Sequence, residues 1–332
     1  VQTRGPFRGQ GAMSRLASDR VLMLHGAVLA LLFLLQFVLP AYHHTNLARI
    51  MLLATFASGY NLLYGYTGLL SLGHAMFFSA GLYGAGLSAH YWGLPPLPAF
   101  LLGAAAGLGL ATAVGLVALR TSGVSFMIVT LMFAQALFLT TLYFGDITRG
   151  DEGIVIAAAR RQIALGGAVI PLSTPWLRYN LALLVFGASL IGLLALVRSP
   201  IGRVLVAIRD NEARARLLGY DTFQVKLVAL AVSGLVAAAA GAAYALLFGY
   251  VGSTFAATQY SIDPLLYTLV GGAGTTLGPL AGAIVMFYLV DIASRFTSAH
   301  ILVVGVALVL LVLGARKGLL GQLRERALPW LP

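Results

Sequence analysis

The chain has 332 residues, of which 21 are Lys or Arg and 10 are Asp or Glu, so charged side chains make up only 9% of it. A soluble domain carries about 25%, and with 60% hydrophobic residues and no cysteine this composition excludes a water-soluble fold, intrinsic disorder and disulfide or thiolate chemistry. The class left is an all-α polytopic membrane bundle.

Residues 1–20 are basic and polar, and 1–12 read as an extension ahead of a natural start at Met13. A membrane helix needs about 20 apolar residues. Windows without Asp, Glu, Lys or Arg occur at 21–48, 50–119, 121–145, 179–197, 227–262, 264–290 and 296–315. They predict about eight to ten spans, with helices near 21–39, 47–64, 72–90, 97–119, 124–143, 181–198, 227–248, 263–271, 278–295 and 299–314. The first run lacks a small-residue cleavage site and reads as a retained helix. The membrane domain is therefore 21–314, with a tail at 315–332.

Gly and Pro interrupt the apolar runs at 65–77 and again at 263–282. Irregular backbone at membrane depth is tolerated where protein or a water-filled cavity satisfies it, and paired interruptions point to a translocation path. Close helix packing is the plainer alternative. The path candidates are Ser71, His74, Gly271, Gly272, Thr275 and Thr276. For His74 the alternative is a neutral ring bonded to a carbonyl of its own turn. The segment 263–271 is expected to be a short inward leg before 278–295, giving a broken or re-entrant element. Asp263-Pro264 reads as an N-cap with Pro at the first helical position. His43 and His44 are expected in a loop, and Asp291 and Arg295 are spaced to pair on one helix face. No catalytic constellation and no metal-ligand spacing is present.

The loop 144–180 carries four arginines and three acids. The loop 198–226 reads RSPIGRVLVAIRDNEARARLLGYDTFQVK. It is too polar to span and predicts one or two short amphipathic helices, opened by Ser199-Pro200 and stopped at Gly219. Its mixed charge fits a specific protein contact better than adsorption to lipid. If the N-terminus is cytoplasmic, 15 of the 21 basic residues fall inside and 6 outside, and this positive-inside bias supports cytoplasmic termini. Basic residues at helix ends rather than on one face argue against nucleic acid.

The run SPIGRVLVAIRDNEARARLLGY resembles the cytoplasmic loop of the branched-chain amino-acid ABC transporter permeases. The resemblance extends through Gly68–Phe77 and from Ser261 through 271–283, covering roughly 47–314. AIRDNE at 207–212 is specific to that family, whereas the Gly-rich segments are shared with sugar-type permeases. The resemblance implies a permease heterodimer with a companion subunit, two ABC ATPase subunits holding ATP and Mg, and a periplasmic or extracellular substrate-binding protein, all at a bacterial inner membrane. It implies that Ser199, Pro200, Gly202, Arg203, Ala207, Arg209, Asp210, Asn211, Glu212, Arg214 and Gly219 belong to the ATPase-coupling loop. Arg149, Asp151 and Glu152 would face the binding protein, in a stretch where the family often shows Thr-Gly-Gly-x-(Asp/Asn)-Gly. Here Arg149 replaces a glycine and Glu152 replaces Asp or Asn. After Tyr250 the family often has proline, where this chain has Val251-Gly252-Ser253. The chain has no phosphate-binding loop, so it holds no cofactor of its own and is not expected to hydrolyse ATP. The function implied is import of branched-chain or related amino acids. Urea or another amide is the alternative on the same scaffold, and an ion-coupled secondary transporter is a third reading.

Overall fold

The computed structural model describes residues 8–165, 168–297, 299–314 and 317–326. In chain order the helices are α1 Arg8–Val38, α2 Ala41–Asn61, α3 Ala75–Tyr91, α4 Pro96–Ala118, α5 Val124–Tyr143, α6 Gly145–Thr148, α7 Pro175–Arg198, α8 Pro200–Leu217, α9 Thr222–Phe248, α10 Ile262–Gly271, α11 Gly278–Phe296, α12 His300–Gly314 and α13 Leu319–Arg326. Six of them, in α1, α4, α5, α7, α9 and α11, are long and apolar enough to cross a membrane. The only strands among the described residues are two small pairs. Ile154–Val155 (β1) pairs with Tyr250–Val251 (β4), and Gln162–Leu165 (β2) pairs with Ala168–Pro171 (β3).

The apolar runs became helices where the sequence placed them, and polar ends moved the boundaries. α2 begins at Ala41, so His43 and His44 lie in its first turns rather than in a loop. α7 begins at Pro175, which fixes its first turn, so the loop ahead of it is shorter than 144–180. α1 runs back to Arg8, through the last residues of the stretch read as an extension. α10 is capped by Ser261, so Asp263 sits inside its first turn instead of capping it. Asp291 and Arg295 do pair, at 2.9 Å, and the Tyr42 hydroxyl donates to Asp291 at 2.8 Å.

α2, α3 and α9 form the centre. α2 is nearly solid core from Ala48 to Asn61, including fully buried Phe56 and Tyr60. α3 and α9 meet backbone to backbone, because a Cβ at Gly241 would stand 1.9 Å from the Phe78 carbonyl oxygen. Small residues allow such approach where lipid gives helices no hydrophobic reason to associate. α4 packs on the α3–α9 pair, α7 on α2, and α11 on both α2 and α10. One end of the bundle carries α8 and α13, and the other carries the β2–β3 hairpin.

At the hairpin end Arg149 adopts φ 62°, ψ 14°, the only positive φ among described non-glycine residues. It terminates α6 by donating its N–H to Gly145 at 2.8 Å. A side chain in left-handed backbone costs about 1–2 kcal/mol, which explains a glycine preference at this place in the resembling loops. Arg149→Gly is therefore expected to stabilise the protein by about 0.5–1 kcal/mol after the added freedom of the unfolded chain is subtracted. Thermal unfolding of the detergent-solubilised protein measures this, and a lowered midpoint would contradict it.

Candidate functional site

Two helices begin inside the bundle rather than at its ends. After α2 the chain makes one π turn, Leu62–Tyr66, and returns from the α8 end through the irregular stretch 67–74 before α3 starts. After α9 it descends from the hairpin end through 249–261 before α10 starts. The two starts meet, since the Ala75 N–H donates to the Ser261 hydroxyl at 2.9 Å. Helix N-termini carry partial positive charge and unpaired N–H groups, and facing half-helix N-termini suit an anionic group.

His74 lies at this junction, fully buried. Its Nε2 is 2.9 Å from the Ser233 hydroxyl, near the middle of α9. Ser233 donates its own proton to the Gly59 carbonyl at 2.5 Å, so Nε2 is the protonated nitrogen and donates to Ser233. The expected bond to a carbonyl of its own turn is thus replaced by one across to another helix. Nδ1 is left as a buried acceptor without a partner, and the nearby Tyr60 hydroxyl is likewise unpartnered. The two rings meet edge to face at 5.0 Å. Ser71 is buried and accepts from the Gly73 N–H at 3.2 Å, while the Leu72 N–H donates to Thr130 on α5 at 3.3 Å.

The other four path candidates lie elsewhere. Gly271 and Gly272 end α10, Gly272 turning at φ 120°, and Thr275 and Thr276 complete a re-entrant tip before α11. About 15 Å of helix separates this tip from His74. The tip is held by a side chain that sequence reasoning missed. Asn61 donates through Nδ2 to the Thr275 carbonyl and accepts through Oδ1 from the Gly274 N–H, both at 2.9 Å. A Cβ at Gly65 would stand 2.1 Å from that Oδ1, so the clamp needs glycine there. Thr276 bonds His25 of α1 at 2.7 Å, and Arg324 of α13 donates to the Gly274 carbonyl at 3.3 Å. An asparagine inside an apolar run was the available signal for the clamp. Nothing in the sequence linked His25 to the tip or Ser233 to His74.

α8 is two helices joined at Asn211, whose φ of −163° and ψ of 98° break the helical run. Ser199 caps the first by accepting from the Gly202 N–H at 3.3 Å, with Pro200 as its first residue. The Asn211 side chain accepts from the Arg214 N–H at 2.9 Å and starts the second. Arg209 turns toward the bundle and donates to the Gly65 carbonyl at 2.7 Å. Its remaining nitrogens lie 3.3 Å from exposed Asp210. Glu212 accepts from Arg216 at 2.6 Å, Lys226 at 2.8 Å and Thr222 at 3.0 Å. Burial raises its carboxyl pKa, but those three donors outweigh it and hold the carboxyl below its usual value. Arg203 and Arg214 are exposed and Ala207 is half-buried. At the turn into α9, marked by Gly219 at φ 88°, Leu217, Leu218 and Tyr220 are 88%, 69% and 46% exposed.

A cavity of about 610 Å³ lies between α8, the re-entrant tip and α13, bordered by Tyr64, Arg209, Thr275, Lys317, Arg324 and Glu325. A groove of about 630 Å³ between α4, α7 and α9 has Ser189 as its one polar side chain and sits away from both the junction and the tip. At the hairpin end Asp151 accepts from the Ser253 hydroxyl at 2.9 Å, while Arg149 and Glu152 are exposed. β1 and β4 pair antiparallel there.

The family model described as branched-chain amino acid transport system / permease component matches residues 42–315. The chain is 30% identical to the high-affinity branched-chain amino acid transport system permease protein LivM of Escherichia coli (strain K12), over 81% of this chain and 67% of that protein. It is 30% identical to the probable branched-chain amino acid transport permease protein LivM of Methanocaldococcus jannaschii, over 27% of this chain and 26% of that one. A more distant similarity is to the ribose import permease protein RbsC of Haemophilus influenzae, 31% identical over 34% of this chain and 37% of that one. No solved structure matches. With a family model matched from the start of α2 to the end of α12, this chain belongs to the permease family of the branched-chain amino-acid transport systems.

Proposed function

We propose that the chain is the transmembrane subunit of an ATP-driven importer for branched-chain or related amino acids. Both termini and α8 face the cytoplasm, as the distribution of basic residues favours. A companion permease completes the membrane unit, two ATPase subunits holding ATP and Mg dock on α8, and a soluble binding protein delivers substrate to the hairpin end. The observation that carries this reading is the geometry of α8. Its exposed apolar knob, Leu217, Leu218 and Tyr220, suits insertion into a partner's groove. Behind the knob, Arg209 braces α8 against Gly65, next to the glycine-rich tip that Asn61 clamps. A push on the knob therefore reaches both the end of α2 and the tip of α10.

The chain's own groups have stated roles in this cycle. Glu212 holds the second half of α8 to the start of α9 through Thr222 and Lys226. Arg209 carries the displacement inward. The junction of α3 and α10 supplies N–H dipoles for a carboxylate, with the His74 Nδ1 and Tyr60 hydroxyl as unused polar partners for an ammonium or a water. The few fixed charges near the junction suit a zwitterion that must also leave.

Three outcomes check the reading. Leu217→Asp combined with Leu218→Asp should abolish co-purification of the ATPase subunits while the permease still folds, and retained ATPase would overturn the docking surface. Arg209→Met should keep the ATPase bound and lower leucine uptake per ATP hydrolysed about tenfold or more, since it removes a charged hydrogen bond of the brace; uptake at the parental ratio would remove the lever. Because the Glu212 carboxyl is depressed in the fold, its contribution is present above the ordinary carboxylate pKa and is lost as pH falls through the folded value. Proteolysis at the α8–α9 turn should thus rise only on acidification below the usual carboxylate range. Glu212→Gln should show the raised rate at neutral pH, and a flat profile in both proteins would contradict the assignment.

A further inference from the structure

Three arginines converge where the hairpin end closes over α9. Arg49 comes from two turns inside α2, Arg178 from the first turn of α7, and Arg161 from the segment leading into β2. The guanidinium carbons of Arg49 and Arg178 lie 5.2 and 5.3 Å from the centre of the Phe248 ring. Arg161 donates to the Leu246 carbonyl at 3.3 Å and to the Ile156 carbonyl at 3.1 Å. The backbone closes over the cluster, with the Leu172 N–H on the Arg161 carbonyl at 2.8 Å and the Ile156 N–H on the Gly249 carbonyl at 2.9 Å.

These charges have no carboxylate within 4 Å among the described residues. Among the described residues the ion pairs are Arg209–Asp210, Glu212 with Arg216 and Lys226, Asp291–Arg295 and Lys317–Glu325, and none includes the cluster. Nε of Arg49 and Nε of Arg178 are buried without an acceptor. So are nitrogens of Gln36, His44 and Asn46, which lie on the neighbouring turns of α1 and α2. Cation–π contact with Phe248 leaves each Nε–H unpaired. Burial, and after it the like charge of Arg178, lower the Arg161 pKa from its ordinary value. The three side chains are half-buried, and Arg178 also donates through Nη2 to the Ser173 carbonyl at 2.9 Å. A buried Nε–H without an acceptor is costly, and planar N–H forks match a carboxylate's two oxygens.

The cluster is also joined to the centre. Phe248 stacks on Tyr244 at 4.7 Å, followed by Phe255 at 5.1 Å and Tyr260 at 5.2 Å. Tyr260 stacks on Phe56 at 5.8 Å, and Phe56 on His74 at 6.0 Å. One aromatic column therefore runs from the arginines to the junction of the half-helices.

We propose that Arg49, Arg161 and Arg178 form an oxyanion site that takes the carboxylate of an amino acid at the outer mouth, ahead of the closed aromatic column. This rests on the amino-acid importer reading above. An anionic lipid phosphate shares the chemistry. The position of the cluster between α2, α7 and the end of α9, under the backbone of the hairpin end, favours a small carboxylate.

The test uses the membrane complex of permeases and ATPases in detergent, without ATP. Its thermal midpoint is titrated with leucine, with leucinamide, which lacks the carboxylate, and with phosphatidylglycerol. Leucine should stabilise the complex and leucinamide should not. Arg49→Gln and Arg178→Gln should each weaken leucine roughly ten- to hundredfold. Arg49→Lys, which keeps the charge, should recover part of that loss and guards against a folding defect. Equal effects of leucine and leucinamide, no leucine effect at all, or parental affinity in the variants would overturn the site. A response to phosphatidylglycerol alone would overturn it in favour of lipid. ATP-driven leucine uptake by the unmodified transporter is measured in parallel. Its absence removes the importer reading, whereas normal uptake with unchanged variant affinity removes the arginine site alone.

Discussion

A polypeptide that leaves the helix inside a bilayer must satisfy its backbone polar groups with protein, and this requirement organises the whole chain. It leaves the helix three times, at 67–74, at 249–261 and at 272–277. At the first and third of these, polar side chains from other segments take up freed backbone groups. Thr130 and Ser261 serve the stretch before α3, and Asn61 and Arg324 serve the tip after α10. Each of these bonds joins segments far apart in sequence. The irregular segments are therefore also places where helices are tied together.

The two ends of α10 divide the work. Its start meets the start of α3 beside His74, where dipoles and unpartnered polar atoms are available to a ligand. Its end is clamped by Asn61 and lies against α13, close to the Gly65 carbonyl that Arg209 holds. On the function proposed above, a short helix with one end at the junction and the other beside α8 would convert motion at the surface into a change at the centre. The arginines at the hairpin end extend this line outward through the aromatic column.

Apolar windows and Gly/Pro interruptions were enough to read the helices and their breaks from the sequence, because hydrophobic length and backbone permissiveness are local properties. α5 begins and ends at the residues read for it, and α10 differs by one residue at its start. What was not legible depends on packing. Ser71 and His74 fall at the junction but Thr275 and Thr276 at the tip, a separation that needs the direction of each segment to be known. Asn61, His25 and Ser233 act through partners more than a hundred residues away. The resemblance assigns Arg209 and Glu212 to the loop at 198–226, and both lie on α8. Their inward orientation was not legible, and it makes them braces behind the exposed Leu217, Leu218 and Tyr220.

The central claim is that α8 and the re-entrant tip move as one unit through Arg209, Gly65 and Asn61. The chain has no cysteine, and Ala213 on α8 and Ala273 on the tip are both exposed. Spin labels at Ala213→Cys and Ala273→Cys, in the complete transporter, report the distance between them by electron–electron resonance. The account predicts one unchanged distance distribution in the ATP-free and ATP-bound states, while a label at Ala213→Cys moves relative to one at Glu152→Cys on the hairpin end. A change in the Ala213–Ala273 distance on ATP binding would contradict it.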